Sequence, residues 1–135
     1  MVKMSIVYEG QLHCALTHEP SGSVISTDAP KDNMGRGEAF SPTDLVAAAL
    51  GSCMLTIMGI AAGKHNIDLK GTTIEVSKEM ITSPVRRIGS ISVILHMIPG
   101  IPPDKRAMLE AAAHSCPVHK SLHPDVQIPI QFIYP

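Results

Sequence analysis

The sequence predicts an α+β fold whose secondary structure follows the order βββ-α-ββ-α-β. Three observations predict it: short alternating apolar segments separated by turn residues, a long uncharged helical segment within residues 41–63, and a shorter helical segment that ends before Pro117. Because turns rather than long crossovers join neighbouring strands, antiparallel sheets are expected. The length of 135 residues indicates a single domain spanning 1–135.

Three short strands are expected at the N-terminus. Residues Lys3–Tyr8, Gln11–Thr17 and Ser23–Thr27 are partly alternating segments, and turn residues separate them. Cys14 shares the phase of the apolar residues in the second strand, which predicts that its thiol packs into a core. A polar loop over residues 28–40 follows and leads into the central helix.

The central helix has start and stop signals at both ends. Ser41 suits the N-cap, Pro42 suits the first helical position, and Asp44 can act as the acidic partner of a capping box. No residue from Leu45 to Ala62 is charged, and Gly63 can end the helix. A helix that is apolar nearly all round is expected to be buried on every side, in part against a second copy of itself.

Strands and one shorter helix are expected after the central helix. Two long strands are predicted over Leu69–Met80 and Arg87–Ile98, and a second helix over Asp104–His114. Pro117 disfavours helical geometry at the residue before it, so residues 117–123 form at most one further short turn of helix. A final strand is predicted over Val126–Ile133.

The composition excludes several classes of function. The formal net charge is −1 and aromatic residues make up only 3%, so the chain offers neither a basic field nor stacking platforms for nucleic acid. The central helix is at the lower edge of the length of a membrane span, but nothing else in the chain resembles a membrane protein, and no membrane partner is expected. No signal peptide is apparent at the N-terminus, which predicts a cytoplasmic protein.

Three cysteines are an odd number, which argues against a structural disulfide framework. Cys53 lies in the middle of the central helix, where a thiol in apolar surroundings stays inert unless a cation reaches it. Cys116 lies at a helix boundary, and if Ser115 caps a new helical turn, the helix dipole favours the Cys116 thiolate, with help from protonated His114 and His119. From the residues alone, two packing thiols and a reactive pair both remain open.

A metal site is a weaker alternative. Cys116, His119 and His123 have spacings that can share one helix face, and three such ligands could hold zinc. No acidic base accompanies them, and solvated histidines are the simpler interpretation, so no metal and no cofactor are expected.

Two segments carry a resemblance to a known family. The segment GEAFSPTDLVAAALGSCMLTIMGIAA and the later segment HSCPVHKSL together resemble the OsmC/Ohr family, the osmotically inducible and organic hydroperoxide resistance proteins. The resemblance implies an intertwined homodimer, in which antiparallel sheets wrap around the central helices. It also implies that the Cys53 thiolate reduces an organic hydroperoxide, that Cys116 resolves the resulting sulfenic acid to a disulfide, and that a dithiol, possibly on a lipoyl protein, restores both thiols.

The sequence departs from the family pattern at two positions. Family peroxidases use an arginine from the first strand turn and a glutamate early in the central helix, whereas this chain has Glu9-Gly10-Gln11 and Thr43 there. Arg36, Glu38 and Asp44 are the charged residues near the helix start that could support Cys53 instead. The alternative function is therefore a catalytically weak or inactive stress-response protein that binds an apolar small molecule.

Overall fold

A computed structural model describes residues 1–135. Its strands are β1 (Met4–Gly10), β2 (His13–His18), β3 (Ser23–Asp28), β4 (Thr73–Ile81), β5 (Arg87–His96) and β6 (Ile130–Ile133). Its helices are α1 (Pro42–Gly63), α2 (Pro103–His114) and the short α3 (Pro117–Ser121). The predicted α+β class and element order are confirmed, with α3 as the further short turn of helix.

The chain forms two compact units, Met1–Val46 and Ala47–Pro135. The first unit contains the antiparallel sheet β1-β2-β3. Its predicted three-strand meander is confirmed, but Cys14 is half-buried and does not belong to the buried core cluster. The alternating pattern determines on which side of the sheet Cys14 lies, whereas burial depends on what covers that side. The single-domain organisation remains a prediction.

The start of α1 has the predicted capping box. The Ser41 backbone N–H donates to Asp44 Oδ2 at 2.9 Å, and the Asp44 backbone N–H donates to Ser41 Oγ at 3.0 Å. These reciprocal hydrogen bonds satisfy backbone donors that the first turn of a helix leaves unpaired. The local sequence is therefore sufficient to define where α1 begins.

The second unit contains the sheet β4-β5-β6, and one of its strand pairs departs from the antiparallel expectation. β4 and β5 form an antiparallel hairpin, whereas β6 pairs with β5 in parallel, with Val93 opposite Ile130 and His96 opposite Ile133. The helices α2 and α3 lie between β5 and β6 in sequence. They supply the long connection that a parallel pair requires, so the last connection is not a hairpin.

The core of the second unit is one cluster of buried side chains. Alternate residues of β5, namely Ile91, Val93 and Leu95, are buried, as their alternation predicts. They join Leu50, Met54 and Met58 of α1 and Leu109 and Ala113 of α2 in the same cluster.

The prediction that α1 is buried on every side is wrong for the single chain. Its buried residues form one stripe along the helix: Ala47, Leu50, Gly51, Met54, Met58 and Ala62. Other positions are exposed, and Ile60 is 55% exposed. The helix is long and apolar enough to cross a membrane by length and composition alone. One three-stranded sheet and one short helix cover only one side of such a helix, which leaves the opposite apolar side open.

Tyr134, just after β6, holds α2 to the sheet. Its hydroxyl donates to Glu110 Oε2 at 3.1 Å, and the Arg106 guanidinium lies 4.1 Å from the centre of its ring. Burial and, to a smaller extent, the hydrogen-bonded Glu110 carboxylate together raise the pKa of Tyr134 to about 12. A hydrogen bond and a cation–π contact therefore hold α2, the helix that precedes Cys116, against Tyr134.

Candidate functional site

Cys53 lies in the middle of α1, next to the buried stripe. Its side chain is half-buried and packs against the core cluster, while the following residue, Met54, is fully buried. Ser52 and Thr56 lie on the exposed side of the same helix. Cys53 therefore lies at the boundary between the core and the open side of α1.

Cys116 lies in the link between α2 and α3 and is fully buried. It is the N-cap residue of α3, because its Sγ accepts a hydrogen bond from the backbone N–H of His119 at 3.3 Å. Pro117 occupies the first helical position, where the missing N–H costs nothing. The sequence Cys-Pro-Val-His thus fixes the Cys116 sulfur by local hydrogen bonding.

The fold brings Cys53 and Cys116 together, although they are far apart in sequence. Both are free thiols, Cys53 packs against the core cluster that contains Cys116, and Cys53 lies close enough to act on the pKa of the Cys116 thiol. Burial raises the pKa of the Cys116 thiol, whereas the hydrogen bond from His119 N–H acts in the opposite direction. The proximity of Cys53 raises the pKa of Cys116 further, and the backbone N–H of Val118 lowers it. The net shift is upward, so the Cys116 thiol is held in its protonated form.

Two sequence-based expectations about the Cys116 segment need correction. Ser115 does not cap α3; it is the C-cap residue of α2, with its N–H bonded to Ala112 O and Ala113 O, and Cys116 is itself the N-cap. The contact from His119 to Cys116 is made by the backbone N–H of His119.

No set of three or more His, Cys, Asp or Glu residues is arranged to hold a metal ion, so Cys116, His119 and His123 do not assemble as a zinc site. Spacing allowed a shared helix face, but α3 ends at Ser121.

Arg36, Glu38 and Asp44 all lie in the first unit. Asp44 belongs to the capping box of α1. The backbone N–H of Glu38 donates to Asp28 Oδ2 at 3.1 Å, and the positive charge of Arg36 acts on the same Asp28 carboxylate. A role for these three residues in supporting Cys53 stays a prediction.

The sequence analysis did not identify Asp28 as the centre of this loop or the His119 N–H as a ligand of the Cys116 sulfur. The second could have been recognised from sequence, since a cysteine followed by proline and, two residues later, histidine has the spacing of an N-cap with its backbone donor. The first could not, because it depends on the strand pairing that sets His13 beside Asp28.

Comparison with known proteins identifies relatives. The family model described as "OsmC-like protein" matches residues 35–131. A crystal structure of a candidate osmotic stress-induced and detoxification response protein from Psychrobacter arcticus 273-4 is 41% identical, with a TM-score of 0.93, and covers 98% of this chain and 96% of that chain. No curated protein matches the sequence.

Two further structures share the fold at low identity. An organic hydroperoxide resistance protein OsmC from Legionella pneumophila has a TM-score of 0.79 at 17% identity, with 98% of this chain and 96% of that chain covered. The organic hydroperoxide resistance protein OhrB of Bacillus subtilis has a TM-score of 0.70 at 18% identity, with 98% of each chain covered. The family match over most of the chain and the 41% identical relative together show that this chain belongs to the OsmC-like protein family.

Proposed function

We propose that this protein is a thiol-dependent peroxidase that reduces organic hydroperoxides in oxidative-stress defence. The observation that carries the proposal is the proximity of two free thiols, Cys53 and Cys116, contributed by α1 and by the link between α2 and α3. Membership of a family whose structural relatives include organic hydroperoxide resistance proteins supports the same conclusion.

Accessibility supports the proposed roles of the two cysteines. Cys53 is half-buried, so a hydroperoxide can reach its sulfur, whereas Cys116 is fully buried and meets only groups already inside the protein. The Cys53 thiolate attacks one oxygen of the O–O bond and becomes a sulfenic acid, while the other oxygen leaves as alkoxide and takes a proton to form the alcohol. The Cys116 sulfur then attacks the Cys53 sulfur, which forms a disulfide and releases water.

The residues around Cys53 favour an organic substrate. Its helical neighbours are apolar, namely Leu50 one turn before it, Met54 directly after it and Ile57 one turn after it. The transfer of an alkyl group from water into such apolar surroundings is favourable, and hydrogen peroxide has no alkyl group. A small dithiol, or a dithiol on a lipoyl protein, is the proposed reductant, because a second thiol on the same reductant releases the enzyme by forming its own disulfide.

In this proposal the protein acts as a homodimer in the cytoplasm. Three cysteines kept as free thiols fit a reducing compartment. An open, mostly apolar groove of about 420 Å³ runs along α1 and is lined by Ala48, Gly51, Ser52, Leu55, Ile74 and Val76. Exposed apolar surface of this kind marks an interaction site, and a second copy of α1 is its proposed occupant.

The test is hydroperoxide consumption by the purified protein. We expect turnover of cumene hydroperoxide with a dithiol reductant, and loss of at least two orders of magnitude in turnover for Cys53→Ser, because the nucleophile is removed. Cys116→Ser is expected to stop after one turnover, with a sulfenic acid on Cys53 that dimedone traps. Equal turnover by the parent and Cys53→Ser would rule out the proposal.

A specific observation also favours the alternative, a non-catalytic protein that binds an apolar small molecule. The sheet of the first unit carries an apolar groove of about 400 Å³, lined in part by Met4, Ile6, Leu16 and Ile25. This volume lies within the usual range of small-molecule pockets. Hydrophobic molecules that co-purify with the protein, together with thiols that do not respond to hydroperoxide, would support this alternative.

A further inference from the structure

One side of α2 is fastened to the end of the chain by contacts that recur from turn to turn. The Tyr134 hydroxyl donates to Glu110 Oε2 at 3.1 Å, and the Arg106 guanidinium lies 4.1 Å from the centre of the Tyr134 ring. One turn after Glu110, the His114 ring lies 6.0 Å from the ring of Phe132. Positions 106, 110 and 114 repeat every four residues, so these side chains share one side of α2.

The spacing of these contacts keeps α2 in step with β6. Phe132 and Tyr134 both pack against the core cluster, and Ile133 between them is exposed, so the two aromatic side chains lie on one face of the strand. Four helical residues advance by about 6 Å, and two strand residues advance by about 6.6 Å. One turn of α2 therefore matches one repeat of the strand, and a shift of α2 along its axis would break these contacts together.

The end of α2 determines where Cys116 lies. The Cys116 backbone N–H donates to Ala113 O at 3.4 Å, which attaches its backbone to the last turn of α2. The backbone N–H of His119 donates to Cys116 Sγ at 3.3 Å, and the His119 ring lies 6.3 Å from that of His114. The Cys116 sulfur therefore keeps its position only while α2 keeps its register on β6.

We propose that Tyr134, through its contacts with Glu110 and Arg106, is a positioning residue that holds the resolving thiol of Cys116 where it can reach the Cys53 sulfur. This inference rests on the proposed peroxidase function and deepens it. In the step concerned, the Cys116 sulfur bonds to the Cys53 sulfur and the S–O bond of the sulfenic acid breaks. The leaving hydroxide takes the Cys116 thiol proton and departs as water.

The expected effect is confined to this second step. The attack on the hydroperoxide uses the Cys53 sulfur on α1, whereas the disulfide forms only if both sulfurs come within bonding distance. A misplacement of about 1 Å in a reacting group can cost about a hundredfold in rate. Loss of the Tyr134 contacts should therefore slow disulfide formation and leave sulfenic acid formation unchanged, which a general loss of stability would not do.

The experiment measures how the Cys53 sulfenic acid divides between two products, in a Cys14→Ser background. The protein is mixed with cumene hydroperoxide and excess dimedone, and peptide-resolved mass spectrometry compares the dimedone adduct of Cys53 with the Cys53–Cys116 disulfide. We expect Tyr134→Phe, which keeps the ring but loses the bond to Glu110, to raise the ratio of adduct to disulfide about tenfold. Hydroperoxide consumption in the first turnover should stay as fast as in the parent.

Variants of Glu110 test whether the effect passes through this hydrogen bond. Glu110→Ala is expected to match Tyr134→Phe, and Glu110→Gln, which retains an acceptor for the hydroxyl, should restore most of the parent ratio. Because both changes remove the same bond, the double variant Tyr134→Phe/Glu110→Ala should lie no further from the parent than either single variant. Tyr8→Phe removes the other tyrosine hydroxyl of the chain and should leave the ratio unchanged.

Two results would overturn the inference while leaving the proposed function in place. One is a parent ratio of products in Tyr134→Phe and Glu110→Ala. The other is a first turnover slowed as much as disulfide formation, since a general loss of structure would then explain both. If Tyr134→Phe does not fold, Glu110→Ala beside Glu110→Gln gives the same comparison.

A different result would remove the proposed function alone. If cumene hydroperoxide produces no sulfenic acid in the parent, the peroxidase proposal fails, and the same variants are compared with diamide. Diamide accepts the two electrons and two protons that two thiols release when they form a disulfide, so it needs no peroxide. Slower Cys53–Cys116 disulfide formation in Tyr134→Phe would then support the positioning role, and an equal rate, or no such disulfide in the parent, would overturn it.

Discussion

At the scale of single residues, Asp28 is a buried carboxyl with several hydrogen-bond partners in the first unit. It lies at the end of β3, is only 2% exposed, and has partners on both carboxylate oxygens. Its Oδ1 lies 2.6 Å from His13 Nδ1, and its Oδ2 accepts the backbone N–H of Glu38. Its own N–H donates to Phe40 O. Asp28 thereby ties the C-terminal end of the loop over residues 29–40 back to the sheet.

The lowered pKa of the Asp28 carboxyl predicts that the first unit loses stability at acidic pH. The hydrogen bond with His13, helped by the charges of His13 and Arg36, holds the pKa of Asp28 below its usual value of 3.8. A carboxyl whose pKa is lower in the folded state stabilises the protein above its unfolded pKa, and this contribution is lost as the pH falls through the folded pKa. We therefore expect the free energy of unfolding to fall below about pH 4, and less so in Asp28→Asn, which starts from a lower stability at neutral pH.

Urea unfolding followed by circular dichroism across acidic pH measures this effect. The matched control is Glu38→Gln, because the contact between Glu38 and Asp28 uses the Glu38 backbone N–H and not its carboxylate. If Asp28→Asn retained the full acid dependence of the parent, another group would have to be responsible for it.

At the scale of elements, two glycines of α1 occupy opposite environments. Gly51 is buried, and a Cβ there would lie 2.8 Å from Val76 Cγ2 of β4. Gly59 is exposed, and a Cβ there would meet nothing within 4 Å. The absence of a side chain at Gly51 thus allows α1 to approach β4 closely, whereas the fold of the single chain does not require a glycine at position 59.

The two alanine substitutions are expected to act in opposite directions. Alanine in place of a helical glycine ordinarily stabilises a helix by about 1 kcal/mol, and Gly59→Ala should show this gain. Gly51→Ala should instead destabilise by about 1–3 kcal/mol, because the new methyl group overpacks the contact with Val76. Thermal unfolding of the two variants beside the parent measures both effects. A stabilised Gly51→Ala would mean that α1 and β4 are less closely packed than described.

At the scale of the whole molecule, the open side of α1 predicts self-association. Ile60 is 55% exposed in the single chain, although it lies on the most apolar helix of the protein. We expect sedimentation to show twice the mass of one chain for the parent. Ile60→Glu is expected to dissociate into single chains, because a buried unpaired carboxylate costs several kcal/mol.

The control for this experiment is Val85→Glu. Val85 is 59% exposed, but it lies in the segment between β4 and β5 and not on α1. Its substitution should therefore leave the sedimenting mass of the protein unchanged. A parent protein that sediments as a single chain at all concentrations would contradict the proposed homodimer.

The sequence by itself determined the features that depend on residues close together along the chain. Ser41 and Asp44 define the start of α1 through hydrogen bonds across three residues. The alternation of Ile91, Val93 and Leu95 identifies the buried face of β5, because successive side chains of a strand point to opposite sides. Pro117 ends α2 because proline restricts the residue before it. The order of the elements follows from such local signals.

Only the tertiary structure decided the relations between distant residues. The parallel pairing of β6 with β5, the one-sided burial of α1, and the contacts of Cys53 with Cys116 and of His13 with Asp28 all depend on how the elements pack. No periodicity encodes them, since they are set by which surfaces can cover one another rather than by the preferences of neighbouring residues. The chemistry proposed for the thiol pair belongs to this second group, because two sulfurs can react only where packing brings them into contact.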